Sequence, residues 1–565
     1  MELTRSNIKR GTVMTLWWGL CRDWLVRRRW LVLGSILVAL GTVVAGVGLL
    51  AVAGWFLTGT FIAASMLSFN LFGPSALVRG LSMWRIASRY VERITGHTVT
   101  LELQAEIRAQ TFAQLMQLPP SELAKYRDGD LVARLVNDVE RLDSVYLLLV
   151  VPTCTALLGG GMYSWLTGSQ MPWGGVALAA VIIVAAVLIP YVVARKAAAG
   201  GMQLAAQVAQ ARSVLHDTIA AHVDVVVFNA TDSAKARFEQ LSRSLSAQRE
   251  KLAAIASWGS LWQQCCMALT IVALVAIGVD AYSKELLTGP MWVGLVLGAL
   301  GLFEIMAPLM RGAAGLGVAS AAASRLGMLR SADEQMPSGS TLLPDQGELL
   351  TQDLHVGFDV NVPLLKDVTL RIPQGGRCLI RGVSGSGKTT LLQTLMGVQP
   401  ALVGQVLYGE VDVQQSPTDQ RFQRFALLSQ HSTVFMGSLR YNLTLGCANA
   451  SDEQLWDALQ RVRLADFVRS LPEGLDSWIG EGGNTLSTGQ ARRLCLARIV
   501  LAPASVWFLD EPTSGLDRAN AHALLQDVLQ FAGTRSVIMV SHDEVPEGCF
   551  EQEWQVQGET LQRVA

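Results

Sequence analysis

Six apolar runs constrain this chain more than any other feature. They lie at roughly 31–57, 61–84, 145–167, 174–194, 260–280 and 291–310 of 565 residues. A helix that crosses a bilayer needs about 20 apolar residues, and each run reaches or nearly reaches that length. The 51% hydrophobic content is high for a water-soluble protein and agrees with a membrane protein. The run from Leu31 to Leu57 is too long for a cleavable signal and lacks a small-residue cleavage site, so it reads as a first span.

Orientation follows from Lys and Arg, which are enriched in short cytoplasmic flanks. Arg5, Lys9, Arg10, Arg22, Arg27, Arg28 and Arg29 crowd the N-terminal segment, and the segments 85–144 and 195–257 are also rich in cations. By contrast TGT (58–60) and GSQMPW (168–173) are uncharged, and 281–290 has only Lys284 and Glu285. Six spans with both termini and both long segments in the cytoplasm satisfy these counts. Apolar residues in the long segments recur at helical spacing, as in LVARLVNDVERLDSVYLLL, so the spanning helices are expected to continue beyond the membrane.

The expected organisation is a membrane domain over 1–330, a Pro-, Gly-, Ser- and acid-bearing linker over 331–345, and a soluble α/β domain over 346–565 in which strand-like and helix-like stretches alternate. The 45 basic and 46 acidic residues leave a net charge of −1, so no overall basic field attracts nucleic acid. The eight cysteines, at 21, 154, 265, 266, 378, 447, 495 and 549, include no CxxC pair and no zinc-site spacing. They read as small buried hydrophobes, with a redox role as the alternative for Cys154, Cys265 and Cys266 in the apolar segments.

GVSGSGKTT, residues 382–390, fits G-x-x-x-x-G-K-[ST] between a strand-like RCLIR and a helical LLQTLMG. The stretch Gly382, Ser384, Gly385, Ser386, Gly387 lets backbone N–H groups close around phosphate oxygens, Lys388 places an ammonium on them, and Thr389, followed by Thr390, offers a hydroxyl to Mg²⁺. Downstream, VWFLDEP reads as a buried strand ending in Asp510, suited to the metal, and Glu511, suited to polarising an attacking water. Gln430 in LLSQH, the loop GEGGNTLSTGQARR at 480–493, SGLD at 514–517 and SHD at 541–543 complete the series.

In that order these segments resemble the ATP-binding cassette proteins. The resemblance implies ATP and Mg²⁺ as cofactors, with Gln430 sensing the γ-phosphate and metal, Asp510 holding the metal through water, Glu511 as general base and His542 on the γ-phosphate. It also implies that Ser487 and the backbone of Gly489, in LSTGQ, complete the nucleotide site of an opposite cassette. Thr488 stands where the usual signature has glycine, and a β-branched side chain there could crowd the approach to phosphate. The adenine-stacking aromatic is expected at Phe358, although alignment by length points to Gly357. Six spans plus one cassette make half of an exporter of the type IV fold, and RDGDLVARLVNDVERLD (127–143) resembles its first coupling region.

SRYVERITGH (88–97) places Arg85, Arg89, Arg93 and His97 at four-residue intervals, a slowly drifting stripe on one helix face. Arg79 lies inside the apolar run, where a charge is costly and suggests an anionic ligand. The plainer reading is that Arg85, Arg89 and Glu92 are cytoplasmic flanking residues that pair along a solvated helix.

GWFLTG (54–59), SFN (68–70), P-x-x-x-x-R-G (74–80) and R-Y-x-E-R-x-x-x-H (89–97) together resemble the CydC family, the C subunits of heterodimeric exporters that serve cytochrome bd assembly. That resemblance implies a CydD-like partner half, a bacterial inner-membrane location, export of cysteine and glutathione, and a link to haem b. It makes Arg93 and His97 candidate haem contacts, the imidazole ligating iron and the arginine holding a propionate. Gly96 would leave room for a flat macrocycle. Glutathione carboxylates suit the same arginines, so haem, an anionic thiol and simple anchoring all stay open. The competing functions are a general lipid, drug or peptide exporter half, and a regulatory half whose partner performs most ATP hydrolysis. A soluble cassette ATPase acting on nucleic acid is excluded by the spans.

Overall fold

The structure is a computed structural model and describes residues 13–63, 71–118, 120–123, 126, 128–333, 339–430, 433–480 and 485–564. It divides into two compact units, one taking in Met1–Leu118 and Tyr126–Glu334, the other Pro119–Lys125 and Gln335–Ala565.

Among the described residues of the first unit, five helices are long and apolar enough to cross a membrane: Arg29–Ile62, Leu131–Gln170, Pro172–Ala220, Thr231–Ser283 and Gly289–Met328. The sixth spanning helix, Phe72–Gln117, carries Arg79, Arg85, Arg89, Glu92 and Arg93, which lower its apolar character. The cation-rich long segments are the extensions of these helices, the longest running 53 residues from Thr231 to Ser283. The turn expected at TGT is not there: the Arg29–Ala63 helix runs through it, held by a 2.8 Å hydrogen bond from Thr60 Oγ1 to the Leu57 carbonyl. Threonine can stay in a helix by such back-bonding, and without Gly-Pro or charge the short polar run does not break it. The SFN motif at 68–70 lies outside the described residues. The other short turns fall as expected, with Met171 in extended conformation before Pro172 and the loop after Ser283 ending at Gly289.

Lipid supplies no hydrophobic force between helices, so close backbone approach and polar cross-links hold them together. Gly201 lies flat on Gly317; a Cβ at 201 would come 2.8 Å from the Gly317 Cα. Tyr163 donates to the Leu295 carbonyl at 2.8 Å, and Gln263 Nε2 to the Met306 carbonyl at 3.1 Å.

The helix Ala307–Asp333 runs three residues into the stretch read as linker, and Leu343, near that stretch's other end, is 4% exposed within the core of the second unit. That unit has a six-stranded sheet ordered Thr560–Arg563, Gln552–Gln557, Arg377–Arg381, Ser536–Val540, Val506–Asp510, Phe425–Leu428. All neighbours are parallel except the first pair. Every residue of VWFLD and of SVIMV is buried, as parallel strands covered on both faces require. A second, antiparallel sheet contains Leu349–Val356, Leu365–Val368 and Val403–Tyr408. Among the cysteines, Cys21, Cys378 and Cys495 are buried and Cys265 is exposed, while the other four are half-buried; all eight are free thiols.

Candidate functional site

The phosphate loop joins the buried strand Arg377–Arg381 to the helix Lys388–Leu395. Gly385 and Gly387 have φ of +80° and +88°, a backbone that β-carbons strain, and this turns successive N–H groups inward at the helix N-terminus. Lys388 Nζ donates to the carbonyls of Gly382 at 2.9 Å and Val383 at 2.7 Å, so its ammonium bridges the loop. Burial lowers the Lys388 pKa, against the raising effect of Glu511 and Asp510. Ser386 Oγ is buried with no hydrogen-bond partner, and Ser384 on the same loop is exposed. An orphaned hydroxyl beside a lysine and a ring of N–H groups fits a bound phosphate. Thr390 is buried, its carbonyl accepting from Thr394.

Two strands over, Asp510 ends Val506–Asp510 and is 2% exposed. Thr389 Oγ1 donates to its Oδ2 at 2.7 Å. Burial raises the Asp510 pKa, and the Thr389 hydrogen bond lowers it in part. The hydroxyl and carboxylate expected to share a metal are thus already in contact.

Glu511 has φ +50°, uncommon for a residue with a β-carbon. Its N–H donates to the Val540 carbonyl at 2.8 Å, which fixes the turn, and His542 Nε2 lies 3.4 Å from its Oε1. Gln430 is exposed, and its carbonyl accepts from Arg492 at 3.2 Å. Sequence reasoning missed Arg492. It is 7% exposed and donates to the carbonyls of Ser429, Gln430, Asp510 and Glu511 together. The only signal for it was its place in the quoted ARR, within the first two turns of the helix that the signature starts.

That helix is Thr488–Leu501, and Ser487 is its N-cap. Ser487 Oγ accepts from the Gln490 N–H at 3.2 Å, while Gln490 Oε1 accepts from the Ser487 N–H at 2.8 Å, a reciprocal capping box. Ser487 and Thr488 are exposed, and among the described residues no hydrogen bond joins either to the phosphate loop. A Cβ on Gly489 would come within 3.0 Å of Leu516. Phe358 is 65% exposed, whereas Gly357 is walled in by Leu364, Pro363 and Leu402, leaving no space for an aromatic there.

In the membrane unit, Arg85, Arg89, Arg93 and His97 line one cavity of about 340 Å³, with Thr42, Glu92 and Glu304 also on its wall. Arg85 does not pair along its own helix: its Nη2 donates to both oxygens of Glu304 at 3.1 Å. Glu304, a lone acid in the sixth apolar run, is the partner that the helix-face reading omitted, and the cost of an intramembrane charge was the available signal. Arg89 and Arg93 have no ion pair among the described residues. No Cys, Met, Tyr or second His lines the cavity, so His97 is its one imidazole, thiol, thioether or phenol ligand for iron, beside the carboxylates of Glu92 and Glu304. Gly96 also lines it, but the space its missing side chain leaves is taken by Leu147, whose Cδ2 would be 3.2 Å from a Cβ. Arg79 is apart from this cavity, folded back on the Ser75 carbonyl and hydroxyl at 3.3 Å.

Comparison with known proteins matches these two units. Residues 365–514 match the ABC transporter family and residues 35–297 the ABC transporter transmembrane region. The chain is 34% identical to the glutathione/L-cysteine transport system ATP-binding/permease protein CydC of Haemophilus influenzae, over 91% of this chain and 90% of that one. It is 30% identical to the protein of the same description from Escherichia coli, over 91% of each. A bacterial Atm1-family ABC exporter with ATP bound shares the fold, with a TM-score of 0.78, 20% identity and 94% of both chains covered.

Proposed function

The chain belongs to the CydC family of ABC transporters, and from that premise we propose that it is one half of a heterodimeric, ATP-driven exporter of glutathione and cysteine serving cytochrome bd assembly. The partner is a CydD-like half, the complex lies in the bacterial inner membrane, and the cassette and both termini face the cytoplasm, as the cation distribution favours.

The observation that carries the ATP-driven part of this reading is that Thr389, directly after the phosphate loop, donates to Asp510 while His542 lies against Glu511. Lys388 and the loop N–H groups bind the β- and γ-phosphates, while Ser386 donates its otherwise unpartnered hydroxyl. Thr389, Gln430 and Asp510 would hold Mg²⁺, which would neutralise phosphate charge, and Phe358 would stack on adenine. Glu511 accepts the proton of the attacking water and His542 holds the γ-phosphate. Ser487 and Gly489 serve the nucleotide of the partner cassette, with Thr488 narrowing that approach.

The His97 cavity favours a second role, the binding of haem b. His97 would hold the haem iron and Arg93 a propionate, and the group would supply redox chemistry. The uncommitted charges of Arg89 and Arg93 support an anionic ligand there, and Arg79 would contact such a ligand only after leaving Ser75.

Inverted membrane vesicles holding the complex with its partner test the transport reading. Uptake of labelled glutathione or cysteine should require ATP and vanish in Glu511→Gln. If neither thiol accumulates on addition of ATP, the reading is wrong.

A further inference from the structure

The membrane unit contains a second cavity, of about 820 Å³, that shares no lining residue with the one at His97. It is lined by residues of the helices Ile189–Ala220, Thr231–Ser283 and Ala307–Asp333 and of the helical stretch Arg134–Val145. Just before it these helices are clamped, Gly201 against Gly317 and Gln248 Nε2 donating to the Gly200 carbonyl at 3.1 Å. Leu204, Val208 and Val318 are among the cavity's apolar lining residues.

The lining is also cationic, with Arg141, Arg212, Arg249 and Arg325 beside Asp138 and Asp217. One arginine is committed: Arg325 donates to both oxygens of Asp138, at 2.7 Å from Nε and 2.6 Å from Nη2, and Asp138 is 7% exposed. Arg212 reaches Asn137 Oδ1 at 3.3 Å. The guanidinium groups of Arg141 and Arg249 take part in no ion pair among the described residues. Asn137 and Asp138 sit on a π-helical turn, Arg134–Asp138, an irregularity that recurs at functional sites.

Two guanidiniums without an ion pair in one cavity with apolar side chains suit an organic dicarboxylate, since each can take one carboxylate in a forked pair. Resting on the thiol-transport reading above, we propose that this cavity binds a γ-glutamyl thiol peptide of the glutathione class. Arg141 and Arg249 grip its two carboxylates, and Leu204 and Val208 receive its aliphatic part.

Calorimetric titration of the complex with S-methylglutathione, which cannot form disulfides, tests the site. Saturable binding is expected in the wild type. Arg141→Gln and Arg249→Gln should each raise Kd about 10- to 100-fold, the worth of a charged hydrogen-bonded contact. Val208→Trp, which fills the cavity from its apolar side, should weaken binding without touching a charge. Arg243→Gln, on the same helix as Arg249 but 82% exposed and paired with Glu239, should leave Kd unchanged. The same Kd in Arg141→Gln, Arg249→Gln and Val208→Trp would overturn the site and leave the transport reading intact. Absence of wild-type binding alongside ATP-driven glutathione uptake would likewise overturn the site alone. Absence of both binding and uptake would overturn the two together.

Discussion

Arg492 donates to the main-chain carbonyl of Glu511 at 2.9 Å, from a helix whose N-cap is Ser487 of the signature. One buried guanidinium therefore ties the signature helix to the backbone of the residue proposed as general base, and to that of Gln430. In Arg492→Met four carbonyls lose a donor, and unsatisfied buried groups cost about 1–3 kcal/mol each where water cannot reach them. The purified complex should melt several degrees lower and hydrolyse ATP at least tenfold more slowly, with Arg492→Lys intermediate. A thermal melt and a phosphate-release assay check this.

Asp510 carries a pKa raised by burial above its usual 3.8. A folded-state pKa above the unfolded one means that the native cassette holds its proton more tightly, so this group stabilises the fold at low pH and loses that contribution as pH rises through the raised value. Mg²⁺ needs the carboxylate, so acidification should weaken Mg·ATP binding at a higher pH than an ordinary aspartate would dictate. Mg·ATP binding should release a proton in that range. Calorimetry in buffers of different ionisation enthalpy measures the release, and Asp510→Asn should abolish it.

His97 and Arg93 share a cavity with Arg89. Titration of the complex with haem should give a saturable Soret shift. His97→Ala should remove the shift, and Arg93→Ala should weaken binding roughly tenfold through loss of one charged contact. An identical titration in His97→Ala would remove this histidine as a ligand and leave the arginines to anionic thiols or to anchoring.

Gly201 packs on the backbone of Gly317, with no side chain between to yield. Gly201→Val should force the two helices apart and destabilise the membrane unit by about 2 kcal/mol or more, the usual range for overpacking. The melting temperature of the complex should fall. Gly315→Ala, at a position with no atom within 4 Å of the added Cβ, should leave it unchanged.

The spans, the cassette and the contiguous phosphate-loop motif were legible in the sequence. Each rests on local pattern: hydrophobic length sets a span, and the phosphate loop is one contiguous strand, turn and helix whose glycines must sit where they do. The extension of the helices past the membrane was legible for the same reason, in the 3.6-residue period. What only the tertiary structure decided were relations between distant segments. Nothing local pairs Arg85 with Glu304, sets Arg492 beneath Glu511, or shows that Arg79 turns back on Ser75 while Arg93 and His97 face a cavity. The turn expected at TGT is absent because threonine back-bonding lets a helix absorb a short polar run. Charges that are unfavourable alone become stable only beside a partner supplied by packing, and packing joins residues hundreds of positions apart.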